Sequence, residues 1–86
     1  MPRLILTGSI CERVGGLSSV EVAGDTAAAA IRALEDAYPA LRGWVVDEQG
    51  VLRRHVRVFL RQGAIPLETP VGANDELHIV AAISGG

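Results

Sequence analysis

Val20-Glu21-Val22-Ala23-Gly24-Asp25-Thr26-Ala27-Ala28-Ala29-Ala30-Ile31-Arg32-Ala33-Leu34-Glu35-Asp36-Ala37-Tyr38-Pro39 changes period in its middle. Val20-Glu21-Val22 alternates apolar and polar, as a short strand does. Asp25 or Thr26 can accept a hydrogen bond from the free amides of a helix start. From Ala27 to Tyr38 the apolar positions recur with helical spacing. Ala27, Ile31, Leu34 and Tyr38 fall on one stripe, with Ala30 and Ala37 beside it. Arg32 and Asp36 lie on the far side, and Glu35 sits at the margin. Pro39 ends the helix, because its ring and missing N–H do not fit a helix interior. The run Ala27–Ala30 reads as a close contact between helix and sheet, since small side chains let backbones approach.

Outward from that segment, strands predominate. Arg3 to Thr7 reads as a first strand, ended by Gly8. Ser9 to Ser19 holds Gly15-Gly16 and reads as a loop or hairpin connection. Leu41 to Val46 reads equally as a second helical turn or a packed loop. Asp47-Glu48-Gln49-Gly50 is a turn signal. Val56 to Arg61 is the clearest strand, with Val56, Val58 and Leu60 on one face and Arg57, Phe59 and Arg61 on the other. Gln62-Gly63 turns the chain. Ala64 to Leu67 reads as a short strand that Pro66 confines to an edge. After Asn74-Asp75, Glu76 to Ala81 reads as the last strand, Leu77, Ile79 and Ala81 alternating with Glu76, His78 and Val80.

The order strand, strand, helix, strand, short strand, strand gives an α+β domain of two layers. Its simplest arrangement is the β-grasp (ubiquitin-like) fold: one mixed sheet covered on one face by one main helix. The domain is expected over residues 1–81, followed by a flexible tail over 82–86.

Composition narrows the function. The chain has 86 residues and 49% apolar content, enough for one core and little room for a deep enzymatic cleft. Its net charge of -2 is a poor footprint for nucleic acid. All eight basic residues are arginine, so the chain has no side-chain amine for building lysine-linked chains of itself. Its single cysteine, Cys11, excludes an internal disulfide and a zinc knuckle. The start Met-Pro-Arg-Leu lacks a signal-peptide pattern, and no apolar run approaches a membrane span. A cytoplasmic location without membrane or nucleic-acid partners is the expectation.

The chemistry is expected at the end of the sequence, Ala81-Ala82-Ile83-Ser84-Gly85-Gly86. Glycine has no Cβ, so two in succession thread a channel too narrow for other residues. Residues 82–86, if extended, span roughly 17 Å, enough to reach into a partner's active site. A terminal carboxylate is ionised at neutral pH. Charge and resonance make it a poor electrophile, so it needs activation, for instance as an acyl adenylate. A sulfur nucleophile can then displace AMP and leave a thiocarboxylate.

With these features the chain resembles the MoaD/ThiS family of ubiquitin-like sulfur carriers. The resemblance spans essentially the whole chain. It is carried by Gly24-Asp25-Thr26, by Leu34 to Pro39, by Asp47 to Val58, and most of all by Asn74 to Val80 leading to Ala82-Ile83-Ser84-Gly85-Gly86. It implies that a ubiquitin-activating-type adenylyltransferase spends ATP to adenylate Gly86. A sulfurtransferase or persulfide then supplies sulfur, and a sulfur-using biosynthetic enzyme consumes the product. The carrier would bind no cofactor or metal and be no enzyme itself. Leu6-Thr7-Gly8-Ser9-Ile10 lacks the aromatic usual in molybdopterin-synthase small subunits, and Arg61-Gln62-Gly63 departs from their usual turn. Asp47–Arg54 is more similar to carriers serving cysteine or natural products. The acceptor stays open among cysteine, a natural product, thiamine and molybdopterin. A ubiquitin-like modifier conjugated through Gly86, or a non-covalent interaction module, are the rival readings.

Gly86 is thus the expected covalent site, with Ala82, Ile83, Ser84 and Gly85 as the segment entering the partner's channel. Phe59, flanked by Arg57 and Arg61 with Val80 on the same face, is a candidate partner surface; a covering loop over Phe59 is the other reading. Cys11 reads as a buried or inert thiol, His55 and His78 as isolated surface or satisfied histidines, and Trp44 as a core or rim packing residue.

Overall fold

The computed structural model describes residues 1–61 and 63–81. Eight elements follow in order: β1 (Arg3–Leu6), α1 (Gly8–Arg13), β2 (Ser19–Glu21), α2 (Ala27–Ala37), a single 3-10 turn (Pro39–Leu41), β3 (Val56–Leu60), β4 (Gly63–Ala64) and β5 (Glu76–Ala81). The strands form one sheet in the order β2-β1-β5-β3-β4. β1 runs parallel to β5, and the other pairs are antiparallel. The long crossover through α2 is what permits the central parallel pair. This is the β-grasp arrangement expected from the element order, a mixed five-stranded sheet with one main helix.

α2 forms because its ends are satisfied as well as its face. Thr26 is the cap, its hydroxyl accepting from the Ala29 amide at 3.1 Å. The Ala27 and Ala28 amides donate to the carbonyls of Thr69 and Leu67, at 3.0 and 2.8 Å. Ala30 donates to the Thr26 carbonyl at 3.0 Å. No amide of the first turn is left without an acceptor, which a helix start otherwise risks. Ala27, Ala30, Ile31 and Leu34 are buried at i, i+3, i+4 and i+7. They meet Leu4, Leu6, Val56, Val58, Leu77 and Ile79 of the sheet in a single core. Of the alanine run, Ala27 and Ala30 alone are fully buried. A Cβ on Gly24 would sit 2.6 Å from the Ala30 nitrogen, so only glycine lets the incoming chain cross the helix there.

Several boundaries differ from the sequence reading. The segment from Ser9, expected as a loop or hairpin, contains α1 instead. That helix has six residues with Ile10 alone buried, too few turns to show a period; it ends at Arg13, and Gly15 and Gly16 follow, both at positive φ. β1 stops at Leu6; Thr7 is still extended, and Gly8, at φ 61, turns the chain into α1. Of Leu41–Val46, Leu41 closes the 3-10 turn and the rest is a packed loop, with Leu41, Val45 and Val46 buried. Trp44 is 38% exposed and lies under Arg13, whose guanidinium sits 3.9 Å from the ring centre, so it belongs to the rim and not the core. The short strand expected over Ala64–Leu67 is the pair Gly63–Ala64, extended by one bond from the Ile65 amide to the Val58 carbonyl before Pro66.

The tail expected over 82–86 lies outside the described residues, and with it Ala82, Ile83, Ser84, Gly85 and Gly86. Among the described residues no helix is long and apolar enough to cross a membrane.

Candidate functional site

A sheet covered by a helix on one face keeps its other face open, and the register shows what stands there. On β5 the buried residues are Leu77, Ile79 and Ala81, so Glu76, His78 and Val80 face outward. On β3, Arg57 and Phe59 face outward. Ile5 pairs with His78, His78 with Phe59, and Arg57 with Val80. Residues directly opposite on neighbouring strands share a face. Ile5, Phe59, His78 and Val80, all half-buried, therefore form a continuous apolar centre crossed by one imidazole.

Charges frame this centre. Below it, Arg3 reaches Glu21 at 3.4 Å and Glu76 at 4.0 Å, and Glu76 lies 3.8 Å from the His78 imidazole. These pairs are well exposed, so they orient side chains more than they stabilise the fold. Arg57 folds back on its own strand, one terminal nitrogen donating to the carbonyls of Arg54 at 2.8 Å and Val56 at 3.0 Å.

The structure thus brings Phe59, Val80 and Arg57 onto one face, as the alternation implied. Arg61 departs from that group. It leaves β3 at φ 59 and pairs with Asp75 at 3.2 Å, in the turn before β5. A left-handed non-glycine residue turns the strand's alternation off, which the sequence pattern did not reveal. Ile5 and His78 also belong to the face: Ile5 is not among the expected site residues, and His78, expected as an isolated surface or satisfied histidine, stands between Ile5 and Phe59. Alternation within Leu4-Ile5-Leu6 sets Ile5 apart from its buried neighbours, but only the parallel register of β1 on β5 places it beside His78.

Two turns of the chain are held by their acidic residues. Asp47 accepts from the Gln49 and Val51 amides, both at 2.9 Å. Asp75 accepts from the Gly72 amide at 2.7 Å and from Arg61. Both aspartates are thus occupied in holding backbone. Among the described residues no three His, Cys, Asp or Glu side chains gather to hold a metal ion.

A separate cavity of about 450 Å³ lies between α2 and the loop leading to β3. Arg32, Arg42 and Arg53 on its lining are balanced by Glu35, Asp47 and Glu48, so it offers no net field to an ion of either sign. It shares no residue with the open sheet face.

The sequence matches the ThiS family over residues 4–86. It is 38% identical over 68 residues to small archaeal modifier protein 1 of Haloferax volcanii, a match covering 78% of each chain. The crystal structure of that protein superposes with a TM-score of 0.83 at 34% identity, over 99% of this chain and 98% of the other. A chain of the Amycolatopsis orientalis BexX/CysO complex superposes with a TM-score of 0.86 at 26% identity, over the full length of both.

Proposed function

This chain belongs to the ThiS/MoaD family of ubiquitin-like sulfur-carrier and modifier domains, and from that premise we propose that Gly86 is its reacting residue and sulfur its cargo. The observation that carries the reading is the reach of the family match, which runs through Gly85 and Gly86. Family members are small carrier proteins rather than enzymes.

The carboxylate of Gly86 attacks the α-phosphorus of ATP on a partner adenylyltransferase. The products are the acyl adenylate and pyrophosphate. AMP is then a good leaving group, and hydrosulfide displaces it to give the thiocarboxylate. A persulfide does the same through an acyl disulfide that a thiol cleaves. The thiocarboxylate sulfur is a strong nucleophile and passes to the acceptor of a biosynthetic enzyme. Ala82, Ile83, Ser84 and Gly85 thread the partner's channel. The chain itself supplies no acid, base or metal, and the open sheet face carries the docking. CysO is found in a complex with BexX, which supports docking on a separate protein.

A second reading is favoured by the likeness to a protein named a modifier. There the acyl adenylate ends in an isopeptide bond to a lysine of another protein. Mass spectrometry of the purified chain, after incubation with ATP, its adenylyltransferase and a sulfide source, separates the two. Replacement of one oxygen by sulfur on the peptide ending at Gly86 supports the carrier. Adducts of that peptide on lysines of other proteins support the modifier. A peptide that shows neither the exchange nor the adducts overturns the role of Gly86.

A further inference from the structure

We propose that Thr7 and Gly8 form a clamp on the end of β5 that fixes the direction in which the following residues leave the sheet, a positioning role that rests on Gly86 being the reacting residue. β1 and β5 end out of step. β1 stops at Leu6, opposite Ile79, while β5 continues through Val80 to Ala81. Val80 and Ala81 keep a neighbour on one side only, Arg57 and Val56 of β3. On the other side the sheet has run out of strand.

The corner Thr7-Gly8 fills that gap. The Thr7 hydroxyl donates to the Ile79 carbonyl at 3.0 Å. Thr7 is also the residue before α1, where a threonine ordinarily caps its own helix, yet its side chain makes no capping bond. Its single donor proton is committed to the far end of the chain, 72 residues away. Gly8 follows at φ +61, and a Cβ there would lie 3.3 Å from the Ala81 carbonyl oxygen. A left-handed corner without a side chain is what allows α1 to close on Ala81, the last residue of β5. Thr7 is two residues beyond Ile5 and still extended, at φ -133 and ψ 162, so it carries the line of β1 one residue past its last pair, Leu6 with Ile79. The point of departure is thereby fixed against the same face that docks.

Docking and delivery then separate. The affinity of a partner is set by Ile5, Phe59, His78 and Val80. The fraction of docked complexes whose carboxylate reaches the ATP is set by the clamp. A clamp defect therefore lowers kcat and spares KM.

The test is ATP–pyrophosphate exchange by the ubiquitin-activating-type adenylyltransferase of the source organism, well below the melting temperature. Thr7→Val keeps the β-branched shape and removes the donor; Thr7→Ser restores it. The expected result is a kcat lower by about tenfold or more for Thr7→Val, as slight misplacement of a reacting group allows. KM should stay within about twofold of wild type, and Thr7→Ser should recover the rate. Gly8→Ala, should Thr7→Val fold poorly, perturbs the corner from its other side and predicts the same split. Wild-type kcat in the variants, a loss confined to KM, or no recovery in Thr7→Ser overturns the clamp. No exchange by the wild-type chain overturns the Gly86 reading, and the clamp's purpose with it.

Discussion

Phe59 and His78 stand directly opposite each other on β3 and β5, on the side of the sheet that α2 does not cover. Neither is needed to fill the core, which closes with Val58, Leu77 and Ile79 on the other side. An aromatic ring beside an imidazole, half-buried and flanked by Ile5 and Val80, gives a partner an apolar anchor and a polar contact together. Such centres tend to carry the binding energy of an interface.

Phe59→Ala and His78→Ala should each weaken the complex with the adenylyltransferase by about 1–3 kcal/mol, the range of strong interface residues. Thermal melting of the isolated chain should move little, because neither side chain belongs to the buried core. Arg61→Ala should be milder, since Arg61 lies beyond the end of β3 and is engaged with Asp75. Titration calorimetry of the three variants beside wild type checks the order. Equal losses for all three would place the interface elsewhere.

Gly86→Ala should abolish pyrophosphate exchange while leaving the melting temperature unchanged. On the proposed function, the added methyl would sit on the carbon next to the reacting carboxylate, where a channel fitted to glycine would leave it no space. Exchange at the wild-type rate would show that the terminus tolerates a side chain.

Thr26→Ala tests the cap of α2. Its hydroxyl is the acceptor for the Ala29 amide, and the neighbouring amides are served by Thr69, Leu67 and the Thr26 carbonyl. Loss of that one acceptor should cost about 1 kcal/mol, read from denaturant midpoints. Thr26→Ser should recover most of it. A larger loss would mean that segment 67–71 detaches as well, since Val71 donates to the Asp25 carbonyl beside the cap.

Leu34→Asp should leave the chain unfolded by circular dichroism. Leu34 has no exposed surface and is surrounded by apolar core, so the carboxylate would be buried without a partner.

The elements that could be read from the sequence are those with enough residues to show a period. α2 has three turns and a cap, and β3 and β5 alternate over five and six residues. α1 has one buried residue in six and is formed by its contacts, with Ile10 in the core and Arg13 over Trp44. A local pattern has no means of showing such a helix. The candidate face was half legible for the same reason. Phe59, Arg57 and Val80 follow from alternation within a strand. Ile5 and Thr7 join the site only through a parallel register linking residues more than 70 positions apart. Arg61 leaves the alternation because the strand ends at Leu60 and the left-handed φ falls on Arg61, one residue before the turn expected at Gln62-Gly63.

Glu35 provides a pH test of the helix surface. Its carboxyl is held above its ordinary value of 4.5, first by burial against α2's surroundings. Arg42 opposes that shift, Asp36 adds to it, and Arg32 opposes it again. The folded chain therefore binds this proton more tightly than the unfolded chain. The group favours folding at pH below 4.5, and that contribution is lost as pH rises through the raised folded value. Glu35→Gln removes the titration and keeps the shape. Relative to this variant, wild type should be less stable at pH 7 and should draw level as pH falls toward 4, with a difference under about 1 kcal/mol because the site is partly open to water. Other carboxylates titrate in both proteins and cancel in the comparison. Paired melting curves between pH 4 and pH 7 give the answer. A difference that widens toward acid would mean that attraction to Arg42 and Arg32 outweighs burial, and that Glu35 favours folding in its charged form instead.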